Sequence, residues 1–364
     1  MLPNGLSGRE TNSMSAMLRP IEAQDLTRVS EFLYQTHGLS MPATFADQSV
    51  LEWKYLYPRS DWTGARGFVL EKKGRIIAYG GVVPALFRLP SGESIRSATV
   101  IDWAADPSVP GAGIILINKL QEQAGAVFVI GGSAAARRVL PKIGFCTAGE
   151  ICAYASWVRP WKEFRRRAKS TRSFLRLAHG FINPMHLDQT LIAGWSSAAV
   201  EAFDVSMQKL LDDRVARLPW CSRTVEHLNY MLQCPAVPMK GFMLRRRDET
   251  VGYFILGKAG WEGRVVDLQL NLEDLTEWKA AYGMAINALC RDPDICRIVA
   301  WATPPVSEVL LELGFWLQGK KPILVRDPAK QLERAFPADL QLLDGEAAFL
   351  VDEEDQNSRV ARLK

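Results

Sequence analysis

Apolar and polar positions change rhythm several times along this chain. The stretch from 67 to 103, "GFVLEKKGRIIAYGGVVPALFRLPSGESIRSATVIDW", predicts successive strands that turn at Lys73-Gly74 and again at Pro90 to Gly92. A short, wholly apolar run, "AGAVFVI" at 124–130, predicts a buried strand. Between them lies "DWAADPSVPGAGIILINKLQE" at 102–122, where a strand-like lead-in passes through a Pro/Gly turn. Leu116, Ile117 and Leu120 then fall three, four and seven positions after Gly113, which is one face of a helix.

The same order of parts recurs. "SAAARRVLPKIGF" (133–145) and "TPPVSEVLLELGF" (303–315) each run 12 positions from a small hydroxyl residue to a Gly-Phe pair. "LEKKGRIIAYGGV" from Leu70 answers "LRRRDETVGYFIL" from Leu244, with Tyr79 and Tyr253 each nine residues after their Leu. "VLEWKYLYP" (50–58) and "HLNYMLQCP" (227–235) both place an aromatic, Trp53 or Tyr230, five residues before a Pro. Three matches in one order predict a duplicated unit. Strands alternating with helices in each copy predict α/β architecture with mixed sheets.

Length and charge set the outer limits. With 364 residues, 48% of them hydrophobic, two domains are expected. The expected division is a disordered extension at 1–16, domains at 17–158 and 200–348 around a basic connector at 159–199, and a polar tail at 349–364. The net charge of +4 gives no argument for nucleic acid. The one cluster, "WKEFRRRAKSTRSFLR" at 161–176, reads as a solvated linker or as an RNA or membrane-surface patch, the former favoured. Six cysteines without a CxxC pair, and only four histidines, predict free thiols and no metal site. No apolar run approaches the roughly 20 residues that span a bilayer, and the polar start lacks a secretory apolar block, so a cytoplasmic protein is expected.

The first turn of a helix presents unpaired N–H groups and a positive dipole end, and glycines there let an anion approach the backbone. Gly-x-Gly alone does not separate a ligand loop from glycines placed for steric reasons. The order strand, Gly111-x-Gly113, helix, strand, then a helix closing on "KIGF" resembles the GNAT superfamily of N-acetyltransferases. The resemblance covers 17–158 with motifs and 200–328 as fold only. It implies two tandem GNAT-like domains, each a mixed, mostly antiparallel sheet flanked by helices. It also implies acyl transfer from acetyl-CoA or another acyl-CoA to an amine, carried by a small molecule or a peptide. By this resemblance the backbone of Ser108, Val109, Gly111, Ala112 and Gly113 holds the coenzyme pyrophosphate. Trp103, Ala104 and Ala105 offer amides to the thioester and pantetheine, and Ser133 and Arg137 border the site from the final helix.

The sequence also departs from that pattern. Ser108 stands where Gln or Arg is usual, Pro110 removes an N–H, Ser133 stands where Asn is frequent, and Leu140 occupies the slot of a Tyr acid. In the second copy the matching loop, "NLEDLTEWKAAYG" at 271–283, carries carboxylates that repel phosphate, so only the first copy is expected to bind coenzyme. Asp102, at the end of its strand, is the candidate general base, with turn-shaping as its alternative role. Arg96 stands near the usual base position and cannot serve. Trp53 and Tyr55 read as acceptor-pocket lining or, preferably, as core. Glu52 reads as acceptor-pocket lining or as solvated surface. Two other functions stay open: aminoacyl transfer from charged tRNA, as in the FemABX group, supported by Arg165 to Arg167, and a silent scaffold or sensor.

Overall fold

The computed structural model describes residues 16–37, 44–162, 185, 190–214 and 218–350. The basic run at 163–176, Arg165 to Arg167 with it, lies outside the described residues, as do the first 15 residues and those after 350.

The first half runs β1 (Met17–Pro20), α1 (Leu26–His37), α2 (Gln48–Tyr55), β2 (Gly67–Lys72), β3 (Arg75–Arg88), β4 (Ser94–Ala105), α3 (Ala112–Ala124), β5 (Ala126–Ile130), α4 (Ala134–Val139) and β6 (Cys146–Trp157). The second repeats that order: β7 (Trp195–Val200), α5 (Met207–Asp212), β8 (Trp220–Cys221), α6 (Val225–Leu232), β9 (Met239–Arg246), β10 (Glu249–Ala259), β11 (Glu262–Leu270), α7 (Leu275–Cys290), β12 (Arg297–Ala302), α8 (Val306–Glu312) and β13 (Trp316–Arg326). α9 (Gln331–Ala335) and two 3-10 turns within 342–348 follow. β7 begins at Trp195, inside the stretch expected as connector, because it pairs along β9 and opens the second set of strands.

All strands belong to one 13-stranded sheet ordered β1-β2-β3-β4-β5-β13-β6-β12-β11-β10-β9-β7, with β8 beside β3. The order is symmetric about its centre. The last strand of each half lies against the penultimate strand of the other: β13 pairs with β5, and β6 pairs with β12. The two last strands also pair with each other, antiparallel, from Trp316↔Ala155 to Val325↔Cys146.

Local chemistry accounts for the elements. Lys73 and Gly74, at φ 53° and 74°, form the primed turn that matches strand twist between β2 and β3. Gly144 and Gly314 end their helices in the left-handed region. The following Phe145 and Phe315 then bond back to Leu140 and Leu310 and bury their rings. Leu116, Ile117 and Leu120 of α3 are fully buried against Ala98 and Val100 of β4. α7 covers the matching face of β10–β12. The opposite face of the sheet is covered by α1, α2, α6 and the segment 338–349. At the centre, Trp53 and Tyr230, matched in the repeat, stack at 4.6 Å and 11°. The Trp53 indole N–H donates to the Tyr230 carbonyl (3.2 Å), and the Tyr230 hydroxyl donates to the Trp53 carbonyl (2.6 Å). All six cysteines are free, and no helix among the described residues is long and apolar enough to cross a membrane.

Candidate active site

The two glycines at the mouth of α3 have different causes. Gly111 takes φ 84°, a conformation that side-chain-bearing residues rarely adopt, and a Cβ there would meet nothing within 4 Å. Gly113 is demanded by packing: a Cβ would lie 3.1 Å from the Trp103 indole, whose N–H donates to the Gly113 carbonyl at 3.0 Å. Part of the loop is already occupied. Asp106 accepts from the N–H (2.9 Å) and hydroxyl (2.6 Å) of Ser108, its main-chain carbonyl takes the Val109 N–H, and Ala112 bonds back to Val109. Arg75 balances the Asp106 charge, and the two Ser108 bonds hold that carboxyl below its ordinary value. The N–H groups of Gly111 and Gly113 make no hydrogen bond to another described residue. They are what this mouth offers an anion. In the second half the corresponding helix, α7, is closed by its own side chain, Asp274 accepting from Thr276, and Glu277 stands in its first turn.

β4 and β5 run parallel and stay paired for three residues, Ser97 to Thr99 against Ala126 to Phe128. Beyond Thr99 they part, although β4 continues to Ala105 and β5 to Ile130. The edge of β4 that faces the wedge therefore has no β5 partner beyond Thr99. Within it the pairing with β3 jumps from Ile101 to Ala104, so Asp102 and Trp103 form a bulge, with Asp102 at φ 51°. The bulge turns the Asp102 side chain toward α2. There Lys54 (2.7 Å) and the Tyr55 hydroxyl (2.5 Å) both bond to Oδ2, all three groups being buried. Burial first, then the charge of Asp102, holds the Tyr55 phenol well above its ordinary value, so it stays a donor. Oδ1 of Asp102 is buried with no partner among the described residues.

A carboxylate from the far end of the chain, Glu346, comes close enough to that bulge to be acted on by the charge and the main chain of Asp102. Burial, then the charge of Asp102, pushes the Glu346 carboxyl up to about 7, against the pull of Lys54 and Lys321. The segment carrying it is pinned on both sides. Thr99 donates its hydroxyl to the Asp344 carbonyl (2.8 Å). Gln341 exchanges two hydrogen bonds with the main chain of Leu268. Arg264 binds the carbonyls of Ala347 and Ala348. Arg223 joins Asp344 (2.7 Å) to Asp267 (3.0 and 3.1 Å), and Tyr253 donates to the same Asp267. Asp267 thus repeats the setting of Asp102: a bulged strand, a buried cation and a tyrosine hydroxyl.

The other residues singled out by sequence fall in separate places. Ala104 is buried opposite Tyr79, and Ala105 pairs with Ala78. Ser133 caps α4 by accepting from the Ala136 N–H, Arg137 is exposed on that helix, and Leu140 is fully buried. Trp53 and Tyr55 are core residues, and Glu52 is exposed. Arg96 lies on Trp62 at 4.1 Å. Glu346 escaped the sequence reading, since "DGEAAF" carries no motif and its meaning comes only from arriving beside a bulge in the other half.

No protein-family model matches the sequence, and comparison with curated proteins finds no match. Solved structures do match. A GCN5-related N-acetyltransferase from Anabaena variabilis superposes with TM-score 0.58 at 11% identity, over 86% of this chain and 73% of that one. The fold is the GNAT fold, built twice. The N-myristoyltransferase of Saccharomyces cerevisiae, in a structure with bound myristoyl-CoA and inhibitors, shares it with TM-score 0.58 at 12% identity, over 86% of this chain and 80% of that one. A putative acetyltransferase from Pyrococcus horikoshii matches over 94% of this chain and 96% of its own, with TM-score 0.53 at 10% identity. At such identities the likeness is one of GNAT fold, and the chemistry has to be argued from this chain's residues.

Proposed function

We propose that this protein is an acyl-CoA-dependent N-acyltransferase whose coenzyme site lies in the first half only and whose general base is Glu346. The observation that carries the reading is the parting of the parallel strands β4 and β5 beside the uncapped mouth of α3, with the Glu346 carboxyl, pushed up to about 7, within reach of the charge of Asp102 on β4. The stretch of β4 left unpaired by β5 suits an extended pantetheine arm, and the uncapped mouth of α3 suits a diphosphate. The self-capped α7 suits none.

An amine reaches its site protonated and must lose a proton before attacking a thioester. A carboxyl of pKa about 7 is half ionised near neutrality and still basic enough to take that proton. Attack by the freed amine forms the C–N bond; as the adduct collapses the C–S bond breaks, the departing coenzyme thiolate takes the second proton from the nitrogen, and Glu346 returns the first proton to solvent. Backbone amides of β4 near Trp103 stabilise the oxyanion. Asp102 serves as a positioning residue: its charge raises the Glu346 carboxyl, and its pair with Lys54 fixes the bulge.

Calorimetric titration with acetyl-CoA and longer acyl-CoAs, then thiol release with a panel of amines, tests the proposal. Binding is expected to vanish in Gly111→Asp. The rate is expected to rise with pH through about 7. Glu346→Gln is expected to flatten that limb and lower kcat by about 10²- to 10⁴-fold. A Glu346→Gln enzyme with the same pH limb and rate would overturn the assignment of the base. Salt-sensitive tRNA binding without coenzyme binding would overturn the class of reaction.

A further inference from the structure

A cavity of about 550 Å³ lies on the face of the sheet that carries Glu346, bounded by β6, β11, β12, β13 and the segment 342–350. Its walls hold buried charge, which a protein keeps out of water only with partners or for a ligand. Arg264 and Arg297 are 6% and 8% exposed and share one carboxylate, Glu262. Burial pushes the Glu262 carboxyl up, but the two guanidinium groups outweigh it and hold it below its ordinary value. Glu262 is therefore an anion that neutralises one of the two arginines. Lys320 and Lys321 stand on the same wall, Lys320 paired with Glu150 at 3.2 Å.

The hydrogen bonding leaves donors over. Arg297 uses Nε and Nη2 on Glu262. Arg264 uses Nε on Glu262 and Nη1 on the carbonyls of Ala347 and Ala348. Nη1 of Arg297 and Nη2 of Arg264 bond to no described residue, and neither atom is shut away from solvent-sized space. Trp157 and Trp261 lie under the Arg297 guanidinium at 6.0 and 5.0 Å, which fixes its plane. Planar guanidinium groups with free N–H edges recognise carboxylate and phosphate oxygens. The place is adjacent to the reacting centre: the carbonyls that Arg264 holds belong to the two residues after Glu346. Lys321, which lines the cavity, also acts on the Glu346 carboxyl.

We propose that this cavity is the acceptor site and selects amines that carry an anionic group, a carboxylate or a phosphate, seated on Arg297 and Arg264 while the amine meets Glu346. This rests on the acyl-transfer reading for its amine end, and on the arginines alone for its anionic end. The volume fits a small metabolite and leaves little room for a folded protein.

Titrating inorganic phosphate and glutarate separately into the full chain tests the anionic end. Saturable binding is expected, weakened at least tenfold by Arg297→Gln. Because Arg297→Gln leaves Glu262 short of a partner, the double variant Glu262→Gln/Arg297→Gln, which removes both charges, is measured beside it and is expected to show the same loss. The tighter of the two probes tells which anion the site prefers. Absence of saturable binding, or equal affinity in wild type and both variants, would overturn the proposal. Thiol release from acetyl-CoA with β-alanine and with β-alaninamide then tests specificity. The acid is expected to be favoured at least tenfold in kcat/KM, a preference lost in Arg297→Gln. Equal turnover of both amines would sink the anion site and leave acyl transfer standing. Anion binding lost in the arginine variants, with no thiol released by any amine, would keep the site and refute acyl transfer.

Discussion

Gly111 and Gly113 look alike in the sequence and differ in what a methyl group would do to them. Gly113→Ala brings a Cβ within 3.1 Å of the Trp103 indole. We expect a loss of about 1–3 kcal/mol from overpacking. Gly111→Ala meets open space and suffers only the left-handed backbone, about 1–2 kcal/mol. Urea unfolding with near-ultraviolet circular dichroism separates them, since only Gly113→Ala disturbs the indole signal. Glu346 leads to a different prediction. Its folded pKa of about 7 lies above the ordinary glutamate value of about 4.5, so the native state binds its proton more tightly than the unfolded chain does. Stability from this group is present below about 4.5 and is lost as pH rises through about 7. Glu346→Gln is expected to abolish that decline and to unfold later than wild type at pH 8. A thermal unfolding series across pH checks this, and a parallel decline in the variant would refute it.

The elements show how much could be read in advance. Turns at Lys73-Gly74, the helix after Gly113 and the paired Gly-Phe caps were legible because each depends on a few neighbouring residues: a positive φ, an apolar face, a ring that must be buried. The setting of Asp102 was not, because its partners Lys54 and Tyr55 come from a helix 48 and 47 residues upstream. The segment 338–350 was illegible for the same reason, its contact with Thr99 spanning 245 residues. That segment depends on Arg223, which is 4% exposed and joins two buried carboxylates. Burial lowers the Arg223 pKa, yet Asp267 and Asp344 together raise it well above its ordinary value. Arg223→Leu strands both anions, and we expect a loss of about 3–5 kcal/mol in chemical denaturation. The turn bearing Glu346 should loosen first, seen as faster amide exchange at 342–348.

At the scale of the molecule, the duplication was legible and the exchange of last strands was not. β6 and β13 hold equivalent places, so pairing with their own half or with the other satisfies the same hydrogen bonds and the same apolar faces. Which pairing wins is set by chain connection, beyond any local pattern. A half taken alone keeps an unpaired edge where the sheet is cut, either its penultimate strand or its own last strand, and such an edge is prone to aggregation. Fragments 1–162 and 190–364 are therefore expected to co-purify as one species when expressed together, and to be insoluble apart; a soluble, monomeric single fragment by size-exclusion chromatography would contradict the exchange. The interlock also restricts how the two halves can move. With a strand of each half built into the other's sheet, and Trp53 clasping Tyr230 at the middle, the two lobes cannot swing apart like a clamshell. A ligand of either proposed site would therefore have to enter past the peripheral turns, with the framework left as it stands.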